Sequence, residues 1–494
     1  MPYRRVVVIG AGVVGLSIAR VLTRYEGLDV VVVEEEPDVG WGTSRVSLGI
    51  IYPGHGEDPE KHPLKAKLCR EGSVLWRRWA RELDVPARFP GELTVFFSEE
   101  ERAEARKYLE LATRNRIPGV VELSRDELRS LEPAVSGSAL GAIYVPAAGV
   151  VSPFEALAAL AENIVANGAR LLLETTVEGV AVSGGKVKGV KTSRGFLDAD
   201  IVVNAAGLHA DRISRSAGAE PSLRIKSRKE VYLLFDGSVP AKPRMILRSA
   251  PSSGGVYVAA TAYGALAVGP AAVTAGCERE DGLVALGFGT EMLRKIAAKL
   301  LGEAPPGAKL LQASVELEPE PAGGDWLVKA YEEPWGFVNA AVFGFPGFTG
   351  APAIAYHVAG MLQEVFGIEL REKLSWNPRR RGIVRVSGAD ADLVENLVKS
   401  NPGYGDLVCY CREVSKAEVI EALNRMRMIG VKTFSIEGVK LRTLAGFGQC
   451  QGSLCRWRIA AVIAEHLGIP LEEVRVGKGR YVLGDLKAMR RVLK

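Results

Sequence analysis

The chain has 494 residues, 47% of them apolar and 24% charged, which predicts a globular protein with about three domains' worth of length. This composition excludes a disordered, collagen-like or coiled-coil protein, and a net charge of only +5 gives no reason to expect a nucleic-acid partner. Six cysteines are too few for a disulfide scaffold, so we expect thiols or metal ligands in a reducing, cytoplasmic compartment. Because no segment has the ~18 uninterrupted apolar residues of a membrane helix, we expect no direct membrane span, and membrane association only through a partner subunit.

The first predicted elements form a nucleotide-binding unit. A β-branched strand leads into Gly10-Ala-Gly12-Val-Val-Gly15, which precedes a helix predicted over Leu16–Tyr25. The first glycine suits a tight turn, the second lets the backbone approach a pyrophosphate at the helix N-terminus, and the third allows close helix–strand packing. A second strand ends at Glu34, whose carboxylate is placed to accept hydrogen bonds from ribose hydroxyls. This arrangement predicts dinucleotide binding.

The neighbouring residues favour FAD over a nicotinamide cofactor. The adjacent acids Glu34–Glu36 would repel the 2′-phosphate of NADP, and the glycine fingerprint occurs once, which disfavours a reductase with two nucleotides. Residues 40–45 form another turn rich in glycine and hydroxyl groups, of the kind that a flavin enzyme needs beneath the remainder of its cofactor.

Two later segments return to the same domain. A buried strand and a turn of small residues occupy 199–207, and a strand predicted over Gly336–Ala341 leads through a glycine-rich turn to a helix expected from Ala351. The stretches 86–145 and 223–315 between these returns alternate like antiparallel strands with flanking helices. They predict an inserted substrate domain.

A small basic module closes the chain. It contains two close pairs of thiols with 38 residues between them, which are Cys409 with Cys411 and Cys450 with Cys455. Four thiolates suit a [2Fe–2S] cluster or a structural zinc. The tight Cys-x-Cys spacing and a helix expected over Gln451–Leu467 favour the cluster, while zinc and unligated thiols stay open as alternatives. Cys69 and Cys277 stand apart from this set.

Together these motifs resemble the FAD-dependent D-amino-acid-oxidase superfamily. The resemblance rests on the glycine fingerprint and Glu34, together with residues 43–45, 204–207 and 346–354. Within the superfamily, Leu64–Gly72 resembles the branch of L-2-hydroxyglutarate dehydrogenases and anaerobic-type glycerol-3-phosphate dehydrogenase large subunits. The C-terminal cysteine segments resemble the bacterioferritin-associated-ferredoxin-like (BFD-like) domain on those large subunits.

The resemblance implies an α/β Rossmann-like FAD-binding domain with an inserted antiparallel-sheet α+β substrate domain, followed by a small C-terminal helical iron–sulfur module. The implied boundaries are 1–375 for the FAD-dependent oxidoreductase domain, 376–405 for a linker, 406–468 for the [2Fe–2S] BFD-like domain and 469–494 for a tail. Within the first domain, nucleotide-binding parts at about 1–85, 150–215 and 330–375 alternate with substrate-domain parts at about 86–149 and 216–329.

The resemblance also implies site residues for two cofactors, FAD and a [2Fe–2S] cluster. The residues expected to bind FAD are Gly10, Gly12, Val13, Val14, Gly15, Glu34, Glu35, Thr43, Ser44, Arg45, Val177, Ala206, Gly207, Gly347, Phe348 and Thr349. The expected cluster ligands are Cys409, Cys411, Cys450 and Cys455.

Two positions depart from the family pattern. Tyr52 stands where many relatives carry a His, with His55 three residues further on, and Glu318 replaces a substrate-binding Arg. An anionic substrate favours bidentate recognition by such an Arg. Either another base (Lys229, Arg228 or Arg248) substitutes for it, or the substrate differs, or the chain no longer oxidises substrate itself. We expect the catalytic residues among His55, Tyr52 and Lys229.

Two functions fit the sequence. The first is an FAD-dependent dehydrogenase that oxidises a small hydroxy substrate, of the glycerol 3-phosphate or 2-hydroxy-acid type, and passes electrons through a [2Fe–2S] centre to an acceptor protein or partner subunit. The second is a flavin and iron–sulfur electron-transfer subunit in an amino-acid dehydrogenase complex of the proline or sarcosine type. The replacement at Glu318 favours the second.

Overall fold

The computed structural model describes residues 3–237, 242–273, 282–302, 309–321, 324–342 and 344–481. Within them the strands are β1 Arg4–Ile9, β2 Leu28–Val33, β3 Ile50–Ile51, β4 Ala87–Arg88, β5 Glu92–Phe96, β6 Val121–Ser124, β7 Gly141–Val145, β8 Gly149–Val151, β9 Arg170–Leu172, β10 Val177–Ser183, β11 Lys186–Thr192, β12 Gly195–Asp198, β13 Ile201–Asn204, β14 Ile225–Phe235, β15 Ile246–Ser249, β16 Tyr257–Ala260, β17 Leu266–Val273, β18 Leu310–Pro321, β19 Leu327–Tyr331, β20 Phe337–Ala341, β21 Leu407–Cys409, β22 Val414–Ser415, β23 Arg475–Gly477 and β24 Arg480–Tyr481. The α-helices are α1 Val13–Leu22, α2 Pro63–Glu82, α3 Glu99–Arg114, α4 Arg125–Leu131, α5 Pro153–Ala166, α6 Ala210–Ser216, α7 Gly282–Leu301, α8 Gly347–Glu364, α9 Ala391–Ser400, α10 Lys416–Met428, α11 Ile436–Thr443 and α12 Arg456–Leu467.

The nucleotide-binding part is a six-stranded sheet in the order β19-β20-β13-β1-β2-β9, parallel except where β19 pairs with β20. Strands β1 and β2 are rich in valine, and β2 is buried along its whole length, as expected for strands covered on both faces. Helices α1, α5 and α8 pack on one face, and the antiparallel sheet β10-β11-β12 packs on the other. The carboxyl ends of β1, β2 and β13 therefore meet at one edge, where this fold class binds its ligands.

The inserted part is an eight-stranded sheet in the order β18-β14-β17-β16-β15-β5-β7-β6. Its pairs are antiparallel except β5 with β15, which run parallel and join the two inserted stretches of chain. Its core packs leucines and valines of the sheet against α7 and α4. The expected α/β fold with an antiparallel-sheet insertion and a C-terminal helical module is confirmed.

The C-terminal module is built from α10, α11 and α12, and buried ion pairs fix it to the nucleotide-binding part. The guanidinium of Arg442 donates to both carboxylate oxygens of Asp38, at 2.6 and 2.8 Å, and both side chains are buried. Within the segment predicted as a linker, Arg380 pairs with Glu162 at 2.7 Å. The module packs against the hydrophobic core of the nucleotide-binding part, so one cluster of buried residues spans both.

Helix boundaries differ from the sequence expectation in three places. Helix α1 begins at Val13, directly after the second fingerprint glycine, and α8 begins at Gly347, so the glycine-rich turn forms its first helical turn. Helix α12 begins at Arg456, so Cys450 and Cys455 both precede it and do not straddle its start. The turn that holds Cys450 contains Gln451 and Gly452 at positive φ, which a helix does not accommodate.

Some expectations concern residues or side chains that the structure does not describe. Cys277 lies outside the described residues, and so does the side chain of Glu318, although its backbone pairs with Arg228 in the β14–β18 ladder. Among the described helices, we find none that combines the length and the apolar character needed to cross a membrane.

Candidate functional site

The glycine fingerprint forms a tight cradle at the carboxyl end of β1. Gly10 has φ +100°, and a Cβ there would lie 2.5 Å from the carbonyl oxygen of Ala205. A Cβ on Gly15 would lie 2.0 Å from the carbonyl oxygen of Gly10, so helix and turn touch through backbone alone. At Gly12 the nearest atom to a Cβ is Ser44 Oγ at 3.2 Å, on the side that faces the cavity. The local geometry of the three glycines is that which a pyrophosphate cradle requires.

Glu34 is held at the end of β2 by the same turn. Its carboxylate accepts hydrogen bonds from the backbone N–H of Ala11, at 2.7 Å, and of Glu36, at 2.9 Å. Burial raises the pKa of Glu34 to about 7, although these two N–H groups act in the opposite direction. A ligand hydroxyl that donates to this carboxylate would favour its ionised form.

An elongated cavity of about 400 Å³ runs from Glu34 to the inserted sheet. Thirteen of the sixteen residues expected to bind FAD line it, which are Gly10, Gly12, Val13, Val14, Glu34, Glu35, Thr43, Ser44, Val177, Ala206, Gly207, Gly347 and Phe348. The N–H of Val13 donates to Ser44 Oγ at 3.1 Å, so the second glycine-rich turn is tied to the N-terminus of α1. The cavity fits FAD because it joins an acidic ribose position, an amide-lined phosphate position and an aromatic end.

Three expected residues do not line this cavity. Gly15 acts through packing, and Arg45 lines the neighbouring cavity instead. The hydroxyl of Thr349 is buried, accepts from the N–H of Tyr52 at 2.9 Å and donates to the carbonyl of Ile50 at 3.2 Å. Thr349 therefore fixes the cavity wall from behind.

Sequence reasoning missed the aromatic end of the cavity. Tyr232, Tyr257, Pro270 and Phe345 line it, and three of these come from the inserted sheet. Among the three from the inserted sheet, only Tyr232 lies within three positions of an expected site residue, Lys229. His209 also lines the cavity, with a largely exposed side chain.

A buried polar cluster lies behind Tyr257. We call it the Arg248 cluster, and its members are Tyr52, His55, Glu92, Tyr108, Arg248 and Tyr257. The carboxylate of Glu92 lies 3.2 Å from His55 Nε2 and 3.7 Å from Arg248 Nη1, and all three side chains are largely or fully buried. Burial alone would raise the pKa of Glu92, but the charges of His55 and Arg248 outweigh it and lower that pKa.

The guanidinium of Arg248 is incompletely satisfied by its neighbours. It lies 5.0 Å from the ring centre of Tyr257 and 4.9 Å from that of Tyr108. Among the described residues, Nε and Nη1 of Arg248 and the hydroxyl of Tyr257 have no hydrogen-bond partner. Burial opposes the charge, yet the surrounding tyrosines and Glu92 raise the pKa of Arg248, so the cation persists. Orphaned buried donors of this kind suit an anionic ligand.

The three expected catalytic residues occupy different environments. His55 is fully buried, with its ring centre 4.6 Å from that of Tyr52. The hydroxyl of Tyr52 accepts from the N–H of Gly56 at 2.8 Å, and burial raises its pKa well above the ordinary value. Lys229 lines neither cavity, because side chains alternate along β14 and Tyr232 faces the cavities while Lys229 points to the other side.

The four module cysteines meet as two pairs. Cys409 and Cys455 are hydrogen-bonded to each other and buried, whereas Cys411 and Cys450 form the second pair nearer the surface. The pKa of Cys409 is lowered to about 6, and the hydrogen bond with the thiol of Cys455 contributes most to this shift. The backbone N–H groups of Gly446 and Arg412 act in the same direction. Two thiol pairs with backbone N–H donors fit a [2Fe–2S] cluster, in which each iron takes two thiolates. Cys69 is buried on α2, where it packs against Gly54.

A second, largely apolar cavity of about 490 Å³ lies between the first cavity and the module. Thr43, Ser47, Leu48 and Tyr232 line both cavities. Arg412, next to Cys411, lines its far end with other side chains of the module, Leu441, Leu444 and Phe447. The module therefore sits against the same side of the molecule as the aromatic end of the first cavity.

The comparisons with known proteins agree with these two sites. A family model for FAD-dependent oxidoreductases matches residues 5–361, and a model for BFD-like [2Fe–2S] binding domains matches residues 407–465. The chain is 31% identical over 487 residues to the glycerol 3-phosphate dehydrogenase of Caloramator mitchellensis, covering 97% of this chain and 98% of that protein. It is 29% identical over 242 residues to the mitochondrial L-2-hydroxyglutarate dehydrogenase of Homo sapiens, covering 47% of this chain and 51% of that protein.

Solved structures share the fold of the larger part. The L-alpha-glycerophosphate oxidase of Mycoplasma pneumoniae with FAD bound superimposes with a TM-score of 0.69 at 24% identity, covering 77% of this chain and 99% of that one. The L-proline dehydrogenase of P. horikoshii superimposes with a TM-score of 0.64 at 23% identity, covering 77% and 98%. The chain therefore belongs to the FAD-dependent oxidoreductase family, in which it is related to glycerol 3-phosphate and hydroxy-acid dehydrogenases, uses FAD and carries a C-terminal BFD-like [2Fe–2S] domain.

Proposed function

We propose that this protein oxidises a small anionic hydroxy compound, of the glycerol 3-phosphate or 2-hydroxy-acid type, and delivers the electrons through its [2Fe–2S] centre to a partner protein. The observation that carries the proposal is Arg248, a largely buried cation behind the aromatic end of the FAD cavity, whose Nε and Nη1 have no hydrogen-bond partner within the described part of the chain. The relatives named for glycerol 3-phosphate and L-2-hydroxyglutarate both act on hydroxylated anions by those names, which supports the same substrate class here.

The chain's own residues account for substrate recognition. Bound FAD would supply a hydride acceptor for the hydroxyl-bearing carbon, and a bound [2Fe–2S] cluster would supply one-electron transfer. Tyr257 lines the aromatic end and Arg248 lies behind its ring, so the guanidinium attracts a phosphate or carboxylate there by its charge. Together with Tyr257 and Tyr108, Glu92, 3.7 Å from Nη1 of Arg248, favours the charged form of the guanidinium. Arg248, on β15, thus takes the role of the substrate-binding Arg that relatives carry where this chain has Glu318.

Proton removal from the substrate hydroxyl has one preferred candidate. The hydroxyl of Tyr52 already accepts a backbone hydrogen bond, so it is poorly suited to act as a base. His55 sits beside Glu92, which would stabilise an imidazolium formed by proton uptake. His55 does not itself line the cavity, because Tyr52 lies between it and Phe345, which does. The pH profile of flavin reduction in a His55→Gln variant tests whether His55 acts as the base.

Anaerobic mixing of the purified protein with candidate substrates tests the proposal. Glycerol 3-phosphate or L-2-hydroxyglutarate should bleach the flavin, and L-proline should not. Bleaching by L-proline alone would identify an amino-acid dehydrogenase, whereas bleaching by none of the three, while dithionite bleaches fully, would support an electron-transfer subunit of an amino-acid dehydrogenase complex. The Arg248→Met variant provides the control, since it should keep its flavin and lose the reaction.

A further inference from the structure

The loop that follows β2 joins two parts of the FAD cavity, and we call residues 34–42 the FAD loop. It begins at Glu34, at the ribose position, and ends at Gly42, which lines both cavities. The backbone N–H of Gly40 donates to the carbonyl oxygen of Ala11 at 3.0 Å, and the N–H of Ala11 donates in turn to the carboxylate of Glu34 at 2.7 Å. A displacement of the middle of the FAD loop would therefore move both the glycine turn and Glu34.

The middle of the FAD loop contains a buried charge. Asp38 is 1% exposed, and its carboxylate accepts a hydrogen bond from the N–H of Val39 at 2.8 Å. Arg442, on α11 of the C-terminal module, donates to both carboxylate oxygens and is the only cation within ion-pair distance of Asp38 among the described residues. A carboxylate buried without a cation is strongly unfavourable. Without Arg442, the FAD loop would have to move to bring Asp38 into contact with water.

Two further contacts join the C-terminal part of the chain to the same region. Lys478 Nζ lies 2.7 Å from Glu36 Oε1, and Thr433 Oγ1 donates to Glu174 Oε1 at 2.8 Å. The N–H of Glu174 donates to the carbonyl oxygen of Glu36 at 3.0 Å, so both contacts meet at the FAD loop. Lys478 is 64% exposed, and an exposed ion pair contributes little because solvent screens it. The position of the FAD loop therefore depends most on the buried pair of Arg442 with Asp38.

A second buried attachment joins the C-terminal part of the chain to the nucleotide-binding part at a different place. Glu162, on α5, accepts from Arg380 at 2.7 Å and from Arg425 of α10 at 2.9 Å. Glu162 is buried like Asp38, but it lines neither cavity and does not belong to the FAD loop. Of these two buried attachments, only the pair of Arg442 with Asp38 acts on the FAD loop.

We propose that Arg442 is a positioning residue of the FAD site. Through this guanidinium, the C-terminal module holds the FAD loop in the form that presents the glycine turn and Glu34 to the cofactor. The module thus completes the FAD site in addition to carrying the four cysteines of the cluster. This role does not depend on the substrate that the protein oxidises.

The affinity for FAD tests this role, measured by titrating FAD into the full-length, cluster-loaded protein after its flavin has been removed. Arg442→Met should raise the Kd for FAD roughly tenfold, within the usual range of coupling between two sites. Arg442→Lys keeps a positive charge beside Asp38 and should recover most of the lost affinity. The matched control is Glu162→Gln, which weakens the other buried attachment and should change the Kd less than about twofold, because it does not act on the FAD loop.

Hydrogen exchange followed by mass spectrometry gives a second readout in the flavin-free proteins. The amide of Gly40, which donates to Ala11, should exchange faster in Arg442→Met than in the wild type. Glu162→Gln should leave this exchange rate unchanged. Thermal unfolding of the same proteins shows how much stability each substitution costs, which separates loss of FAD affinity from general destabilisation.

A wild-type Kd for FAD in Arg442→Met would overturn the proposal. An equal loss of affinity in Glu162→Gln would overturn it too, because any weakening of the attachment would then have the same effect. If Arg442→Met does not fold, Asp38→Asn takes its place, since it keeps the size of the side chain and an acceptor for the N–H of Val39. This variant should raise the Kd about threefold or more, and an unchanged Kd would again contradict the role of Arg442.

Discussion

The two ends of the FAD cavity are built in different ways. The nucleotide end is made of backbone, in which tight glycine turns and N–H groups shape the site and Glu34 is held by two backbone donors. The aromatic end is backed by the Arg248 cluster, whose buried charged and phenolic side chains come from distant parts of the chain. Ligand binding at a site made of backbone is sensitive to added side-chain volume at a few positions. The stability of a cluster of buried charges requires every member, because each charge compensates another.

The largest expected effect is at the Arg248 cluster. Arg248→Met removes the buried cation and should lower kcat/KM for the anionic substrate about a thousandfold, on the scale of truncating one partner of a buried charge pair. Flavin content should stay unchanged, because Arg248 does not line the FAD cavity. Lys229→Met is the matched control and should have little effect, since Lys229 lies on the opposite face of β14. A larger loss in Lys229→Met than in Arg248→Met would reverse this assignment.

The nucleotide end should respond to added volume. Gly12→Val places an isopropyl group beside Ser44 Oγ and into the cavity, and should weaken FAD binding about a hundredfold through overpacking. Gly287→Val, on the exposed side of α7 with no atom within 4 Å of its Cβ position, is the control for general effects of the substitution. Flavin retention on gel filtration measures both. Full flavin occupancy in Gly12→Val would contradict the cradle assignment.

The pH dependence of FAD binding tests the contribution of the Glu34 charge separately from that of the space at the glycine turn. The pKa of Glu34 is raised to about 7 without ligand, and ribose hydroxyls that donate to the carboxylate should lower it on binding. Affinity must then rise with pH through 7, and the ionised fraction changes about tenfold between pH 6 and pH 8. The Kd for FAD should fall by that factor, and Glu34→Gln should abolish the dependence. A Kd that is flat with pH in the wild type would show that Glu34 does not receive these hydrogen bonds.

The smallest effect is expected at Tyr52. Its hydroxyl only accepts the N–H of Gly56, so Tyr52→Phe should cost about 1 kcal/mol of stability and change kcat less than about threefold. Thermal unfolding and steady-state turnover together measure this. A hundredfold loss of kcat with normal stability would instead identify Tyr52 as the proton acceptor.

The difference between the two ends also explains what could be predicted from the sequence. The glycine fingerprint, Glu34 and the cysteine pairs are local patterns, so the fold class and the cofactors were predicted from them and are confirmed. The Arg248 cluster depends on the parallel pairing of β5 with β15, which places Arg248 opposite Thr94 and close to Glu92. These residues lie more than 150 positions apart, and nothing in either segment indicates the pairing. Lys229 was chosen for its charge, and strand alternation turns it away.

Anaerobic reduction by substrate tests the central claim most directly. Glycerol 3-phosphate or L-2-hydroxyglutarate is added to the protein without an external acceptor, while flavin absorbance and the electron paramagnetic resonance of the cluster are recorded. We predict that one of these substrates bleaches the flavin and produces the signal of a reduced [2Fe–2S] centre, and that Cys411→Ser keeps the bleaching and loses the signal. A flavin that neither substrate bleaches, in a protein whose flavin and cluster are both reduced by dithionite, would contradict the account.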